Sequence, residues 1–374
     1  MESKLIINIA TYPQSELSND TKLAKASVLY ADHVNLFSPT ASIFTSLEMI
    51  KDLSFKEKII LTSELMKVFE KDKTNYSEGL IKTYLFLENK KHRNKKELQT
   101  FLQIKNSINE LVNGVLKLSS ERGGNELYKL IKSERLSLKY FDANMISNDK
   151  DFDKYFEEEY LNNLKQMLTE DNNYPLFDEG ISSLVNSAIK EGVIDVSARN
   201  IITGKRAGLA TGILLYLPNF EKATVDEILD IRKELEKPLV FFRSAVIEIT
   251  EKIKNEQWTN DFSYDIEDIV NSKIKPALIE IEELIKENSY LRRLTEGLFQ
   301  DINSKDLINI IGLGLIGIGI SAISPLIDLS KTPLYLLGGF GIHAIKQFVE
   351  YEKNLTNIKK NSFYFVYHVQ KKLQ

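Results

Sequence analysis

The stretch NIIGLGLIGIGIS, Asn309 to Ser321, holds Gly312-x-Gly314-x-x-Gly317 behind an apolar run. Glycines so spaced give a tight turn, close approach of the main chain to a pyrophosphate, and a helix N-terminus for the phosphate. The surroundings of a dinucleotide site are missing. The next acid, Asp328, lies at about half the usual distance, and no second strand precedes it. The same residues sit among 21 uncharged positions between Asp306 and Asp328. As a helix these extend about 31 Å, enough for a hydrocarbon core of roughly 30 Å. The third reading is a helix enclosed by protein. Its internal glycines cost about 1 kcal/mol each in helix propensity, while each buried Ile or Leu returns roughly 1.5–3 kcal/mol. The sequence favours a close-packed central helix that is also membrane-competent. Gly314, Gly317, Ser321 and Ser324 form its small-residue face. No nucleotide or other cofactor is expected.

Other stretches carry chemistry more weakly. NKKHRNKKE (89–97) gathers Lys90, Lys91, Arg93, Lys95 and Lys96, which can contact phosphate by releasing counterions. No aromatic residue is interleaved for base stacking, so a solvated loop between helices fits better and nucleic acid is expected only there. TGKRAG (203–208) lacks the first glycine and the following hydroxyl of a phosphate-binding loop, and reads as a turn. His33, His92, His343 and His368 share no metal-ligand spacing, so no metal is expected. Asp32 and His33 start a strand where reactive groups can sit, but adjacent strand residues face opposite ways and a turn role is the plainer reading. EEEY (157–160) reads as a charged helix face. Arg243, inside PLVFFRSAV, needs a carboxylate if buried. Asp226, Glu227 and Asp230 across Pro238 are the candidates for a structural ion pair.

At 374 residues, 43% hydrophobic and 27% charged, the chain can bury a sizeable core. A net charge of -4 gives no global field for nucleic acid or anionic lipid. The lack of cysteine excludes disulfides, thiolate metal sites and cysteine nucleophiles from this chain, and suits a reducing cytoplasm. The first residues lack a basic segment followed by a long apolar run, so no signal peptide is expected. Abundant Lys, Asn and Ile suit an AT-rich bacterial genome.

These side chains must be held by elements that are mainly helical. Lys4–Ala10 and His33–Ser38 read as strands around a helix over Asn19–Tyr30, a small strand–helix–strand element within 1–52. A charged helical region (53–172) follows, with helices at 54–71, 75–88, 95–118, 125–140 and 152–168 after one at 40–51. Residues 173–304 are mixed at first. TEDNNYP is a linker, and Val193–Val196 and Ile213–Leu217 are short strands. Thr224-x-x-Glu227 is a capping box, and Pro238 and Pro276 interrupt the long helices behind it. Ile274, Leu278, Ile281 and Ile285, continued by Leu291, Leu294 and Leu298, form a packing seam. Within 305–374 the apolar glycine-rich helix is followed by an amphipathic helix over 340–359 and a closing strand at Phe363–Tyr367. The fold class is therefore mainly α: a helical bundle with long helices, a small N-terminal α/β element and a glycine-rich apolar helix near the C-terminus.

SVLYADHVNLFSP (27–39) and LPNFEKATVDEILDIRKELEKPLVFFR (217–243) resemble a loose family of uncharacterised bacterial proteins, some from phage-defence or mobile-element neighbourhoods. The resemblance covers about a quarter of the chain and implies no catalytic residue. The leading expectation is a cytoplasmic, non-catalytic interaction and assembly protein of a stress or phage-defence system, with a protein partner or self-association into an oligomer. A membrane-perturbing effector using 307–345, associating with the membrane when triggered, is the first alternative. An enzyme, a nuclease or nucleotide-dependent, with a site assembled from scattered carboxylates, is the second.

Overall fold

A computed structural model describes residues 4–14, 16–60, 76–139, 152–170, 173–298, 353–354 and 356–374. Strands β1 (Ile6–Ala10), β2 (His33–Phe37), β3 (Leu136–Leu138) and β4 (Tyr174–Phe177) make one sheet in the order β3-β2-β1-β4, with every pair parallel. Around the first strands run α1 (Ser18–Tyr30), α2 (Pro39–Met49), α3 (Tyr76–Asn89), α4 (Lys95–Glu121) and α5 (Gly124–Lys132). Next come α6 (Phe152–Thr169), α7 (Glu179–Lys190), α8 (Ala198–Leu215) and α9 (Val225–Glu234). The last are α10 (Glu236–Thr250), α11 (Asp261–Ile269), α12 (Lys275–Leu298) and α13 (Tyr364–Lys372). The protein is thus mostly helical with a small parallel sheet. The described residues fall into two compact units, one within 1–234, 246–267 and 372–374, the other within 235–245 and 268–371.

The first unit holds the sheet. Period-2 alternation puts Ile7, Ile9, Val34 and Leu36 on one face, all fully buried. The other face bears Ala10, Phe37 and Phe177 at the strands' C-terminal ends. There they join Leu164 and Leu168 of α6, Ile181 and Val185 of α7, and Trp258 in one core cluster. Helix α8 packs on α1 and β4. Its Gly204, Gly208 and Gly212, spaced by four, lie on one stripe, and Gln257, Phe262 and Ile266 press against that bare backbone. A separate cluster ties Ile50 and Ile59 to Tyr84 of α3 and to Ile108 and Val112 of α4.

The prolines act where they were expected to. The ring of Pro238 excludes the carbonyl one turn back, and the chain breaks there: α9 ends at Glu234 and α10 starts at Glu236. Pro276 follows a π-helical turn at Val270–Ile274, whose wider ladder accommodates the missing amide donor. In the second unit Ile281 packs with Ile358, Tyr364 and Tyr367, with Leu278, Ile285 and Phe363 against them, so the seam has a partner in α13.

Several sequence expectations are corrected. Phe363–Tyr367 is not a strand but the start of α13. Its aromatic and branched residues suit a strand locally, but burial against the seam outweighs that preference. Ile213–Leu217 is the end of α8, because a short apolar run does not by itself separate strand from buried helix. Val193–Val196 forms no strand. The helix expected over 125–140 stops at Lys132, and Leu136–Leu138 joins the sheet as β3. The expected linker runs directly into β4, with Pro175 on a strand that pairs on one side only, where proline is tolerated. The glycine-rich segment, with Gly314, Gly317, Ser321 and Ser324, lies outside the described residues, as does most of 340–359. Among the described residues no helix is long and apolar enough to cross a membrane.

The glycine stripe of α8 generates a paired test. A Cβ at Gly208 would lie 2.7 Å from the Phe262 ring, so Gly208→Leu is expected to destabilise the protein by about 1–3 kcal/mol through overpacking. A Cβ at Gly114 in α4 would meet nothing within 4 Å, so Gly114→Ala should stabilise by up to about 1 kcal/mol. Urea denaturation of both variants checks the pair. Equal effects would remove the close-approach argument.

Candidate functional site

One row of residues before the apolar end of that second face, the sheet turns polar. Asn8 of β1 is in register with Asn35 of β2, and Asn35 with Ser137 of β3. Parallel register partners point to the same face, so the three side chains form a row. The row is locked from one end. Asn173 sits just before β4, and its Nδ2 donates to the main-chain carbonyls of Gln166 (3.3 Å) and Glu170 (3.2 Å), satisfying the C-terminus of α6. Its Oδ1 is left to accept from Asn8 Nδ2 at 2.9 Å, and Asn8 Oδ1 accepts from Asn35 Nδ2 at 2.8 Å. The donor–acceptor sense of the whole relay follows from two carbonyls, and it ends on Asn35 Oδ1, an acceptor. Beyond it, His33 Nδ1 lies 3.2 Å from the carbonyl of Glu134, which only a protonated nitrogen can approach. In the neutral ring Nε2 therefore accepts the Ser137 hydroxyl proton at 2.8 Å.

The relay faces a cavity of about 350 Å³. Its far wall is α6, through Asn163, Gln166 and Met167, with Glu170 at the end. Lys139, directly after β3, donates to Asn163 Oδ1, and its ammonium lies 5.8 Å from the Phe37 ring centroid. Asn163 Nδ2 donates to Glu159 O at 2.8 Å, which fixes this amide too. Phe37 closes the inner end, stacked on Tyr160 with centroids 4.8 Å apart.

A second polar group occupies the C-terminal edge between β1 and β4. There the strand order reverses, and open parallel sheets usually bind ligands at that point. Here the crevice is filled by the protein itself. Asp178, at the end of β4, caps α7 by accepting from Ile181 N at 2.9 Å, and it accepts from Tyr12 N at 2.8 Å. Asp20, in the first turn of α1 and only 2% exposed, accepts from Thr11 Oγ1 at 2.7 Å. Tyr160 donates to the Thr11 carbonyl at 2.7 Å. Burial pushes the Asp20 carboxyl up; hydrogen bonds from Ser38 and Thr11 oppose this, and the charge of Asp178 adds to it. Burial, with Asp178 and Asp20 nearby, also raises the Tyr160 phenol. None of these residues was singled out as a site from sequence. The cue for Asp178 was an acid directly before a helical run, a capping signal. Tyr160 lies in a stretch read as a charged face, and the structure corrects that reading: its ring is buried.

Of the groups singled out from sequence, His33 borders the candidate site through Ser137. Lys90 pairs with Glu97 at 2.5 Å. Arg93 satisfies the end of α3 through the carbonyls of Leu87 and Glu88, and covers the Phe101 ring at 4.4 Å. Lys91, Lys95 and Lys96 are exposed around it. TGKRAG is not a turn but the interior of α8, where Lys205 donates to the carbonyls of Ile253 and Lys254 behind α10. Asp32 and His33 lie at the N-terminal end of β2, where Asp32 accepts from Leu5 N at 3.0 Å. Asp32 also pairs at 3.4 Å with Arg232, an arginine 3% exposed on α9. Arg243 is half-buried on α10; Asp226 pairs with Lys129 at 2.6 Å and Glu227 closes the capping box with Thr224. Among the described residues no three His, Cys, Asp or Glu side chains converge as metal ligands do. No family model, no curated protein and no solved structure matches the chain.

Asp20 gives the site a pH signature. Its folded-state pKa is raised, so its contribution to stability is full below the unfolded value of about 3.9 and is lost as pH rises through the folded value. Asp20→Asn keeps an acceptor for Thr11 and cannot ionise. The melting temperature of this variant relative to the parent is expected to climb as pH rises above about 4. A difference that does not change with pH would show that burial does not perturb this carboxyl.

Proposed function

We propose that the chain is a non-catalytic binding and assembly protein whose α/β part holds a small polar ligand in the cavity on its asparagine-bearing sheet face. The observation that carries this reading is the relay Asn173–Asn8–Asn35, which ends on an acceptor facing that cavity. A parallel sheet ordinarily carries apolar residues on both faces. Polar side chains in such a place lower stability unless every group is matched. An internal helix cap and two inter-amide bonds match most of them, and Asn35 Oδ1 is left as an acceptor beside one N–H each of Asn8 and Asn35. The volume suits a small metabolite, at the lower end of the range of about 300–1,000 Å³ for ligand pockets. The long helical elements supply surface for a protein partner or a second copy, and a stress or phage-defence setting follows from the resemblance of residues 27–39 and 217–243.

An enzyme reading has one observation in its favour. Asp20 holds its proton to higher pH than an ordinary carboxyl, and it lies at the sheet edge where catalytic groups collect in α/β proteins. It is enclosed, however, with Thr11 and Ser38 around it. The binding reading requires no rearrangement of that kind.

Thermal shift of the full chain against a panel of small polar metabolites tests the proposal. A ligand at about a hundred times its Kd should stabilise the protein by about 2.7 kcal/mol. Asn35→Leu, judged against its own unliganded melting point, should lose the shift, and Asp20→Asn should keep it. The reading fails if no compound shifts the parent, or if Asn35→Leu responds undiminished.

A further inference from the structure

Resting on that reading of the cavity, we infer that its ligand is a neutral, hydroxyl-rich molecule of monosaccharide size. The floor offers acceptors beside the second N–H of Asn8 and of Asn35: the relay leaves Asn35 Oδ1 unused by any other side chain of the row, and the Ser137 hydroxyl gives its proton to His33 and keeps lone pairs free. The wall offers donors, because Lys139 spends one of its three N–H groups on Asn163, and acceptors through Glu170 and Gln166. A ligand bridging floor and wall meets acceptors and donors within one small space. A hydroxyl group serves both from a single atom, and several on one ring do so at several angles.

Two further features exclude the main competitors. A nucleobase is normally held by stacking on an aromatic face. Among the described residues the aromatic ring lining this cavity, Phe37, is 4% exposed and already stacked on Tyr160. An anionic ligand would be drawn by surplus positive charge. Among the described residues the lining instead carries one cation, Lys139, and one carboxylate, Glu170, so their charges balance. The cavity's volume of about 350 Å³ lies at the small end of ligand pockets and admits a six-membered ring with its hydroxyls.

Titration of the full chain, followed by calorimetry and by protein NMR shifts, uses three sets of probes: neutral monosaccharides and polyols, sugar phosphates and sugar acids, and nucleosides. A member of the first set is expected to bind. Its analogue lacking the contacted hydroxyl should bind more weakly by about tenfold or more, since the acceptor it met stays unpaired. Asn35→Leu should abolish binding. Lys139→Gln, which keeps a donor without the charge, should change the affinity of a neutral ligand by less than about threefold, whereas an anion would lose far more. Binding confined to sugar phosphates or sugar acids, or to nucleosides, overturns the ligand class and leaves the cavity as a binding site. Failure of all three sets and of the wider metabolite panel overturns the site itself. Because Lys139 is exposed, its variant remains informative even if Asn35→Leu does not fold.

Discussion

Asn8 is the residue on which the α/β part turns. It lies at the centre of β1, which is bonded on both sides, and its amide is held from both sides by Asn35 and Asn173. Its neighbours Ile7 and Ile9 are fully buried on the opposite face. A slip of one residue would put Asn8 into that apolar face and turn both isoleucines toward the polar cavity. Apolar burial and amide pairing therefore select the same register. Ala10, Phe37 and Phe177 then meet α6 and α7 as a consequence of it.

The two ends of the strands are secured by different electrostatics. At the C-terminal end, Asp178 and Ser38 cap α7 and α2, and Asp20 lies in the first turn of α1. Helix N-termini favour negative charge, which makes enclosed carboxylates tolerable there. At the N-terminal end Asp32 holds the amide of Leu5 and meets the buried Arg232. A buried guanidinium contributes little net stability, but removing its partner leaves an uncompensated charge, so such a pair specifies an arrangement more than it strengthens one. The polar cavity lies between these two anchored ends and is closed at its inner end by Phe37 on Tyr160.

The helical elements obey a simpler rule. Where side chains are large, helices pack by interdigitation, as Ile281 and Leu278 do with Tyr364 and Tyr367. Where side chains are missing, as at Gly204, Gly208 and Gly212, the neighbouring chain comes down onto the backbone itself. Proline punctuates both modes by removing a donor and blocking the carbonyl one turn back.

What the sequence determined by itself is local. The strand–helix–strand of 1–52, the helices over 75–88, 95–118 and 152–168, the Thr224–Glu227 capping box and the breaks at Pro238 and Pro276 are decided by residues within a few positions of one another. Periodicity, capping and steric exclusion act at that range. The glycine spacing of α8 was present in the sequence as well, but its meaning depended on Phe262 and Ile266, about fifty residues downstream. Only the tertiary structure decided the membership of β3 and β4 in the sheet, because three- and four-residue strands carry almost no periodic signal. The candidate site is of the same kind. Asn8 meets Asn173 across 165 positions, and Tyr12 meets Asp178 across 166. A lone asparagine in a strand gives no sign that two more will stand beside it. That row exists only once parallel pairing brings distant strands into register, and its free acceptor exists only once the last carbonyls of α6 have fixed the sense of every amide in it.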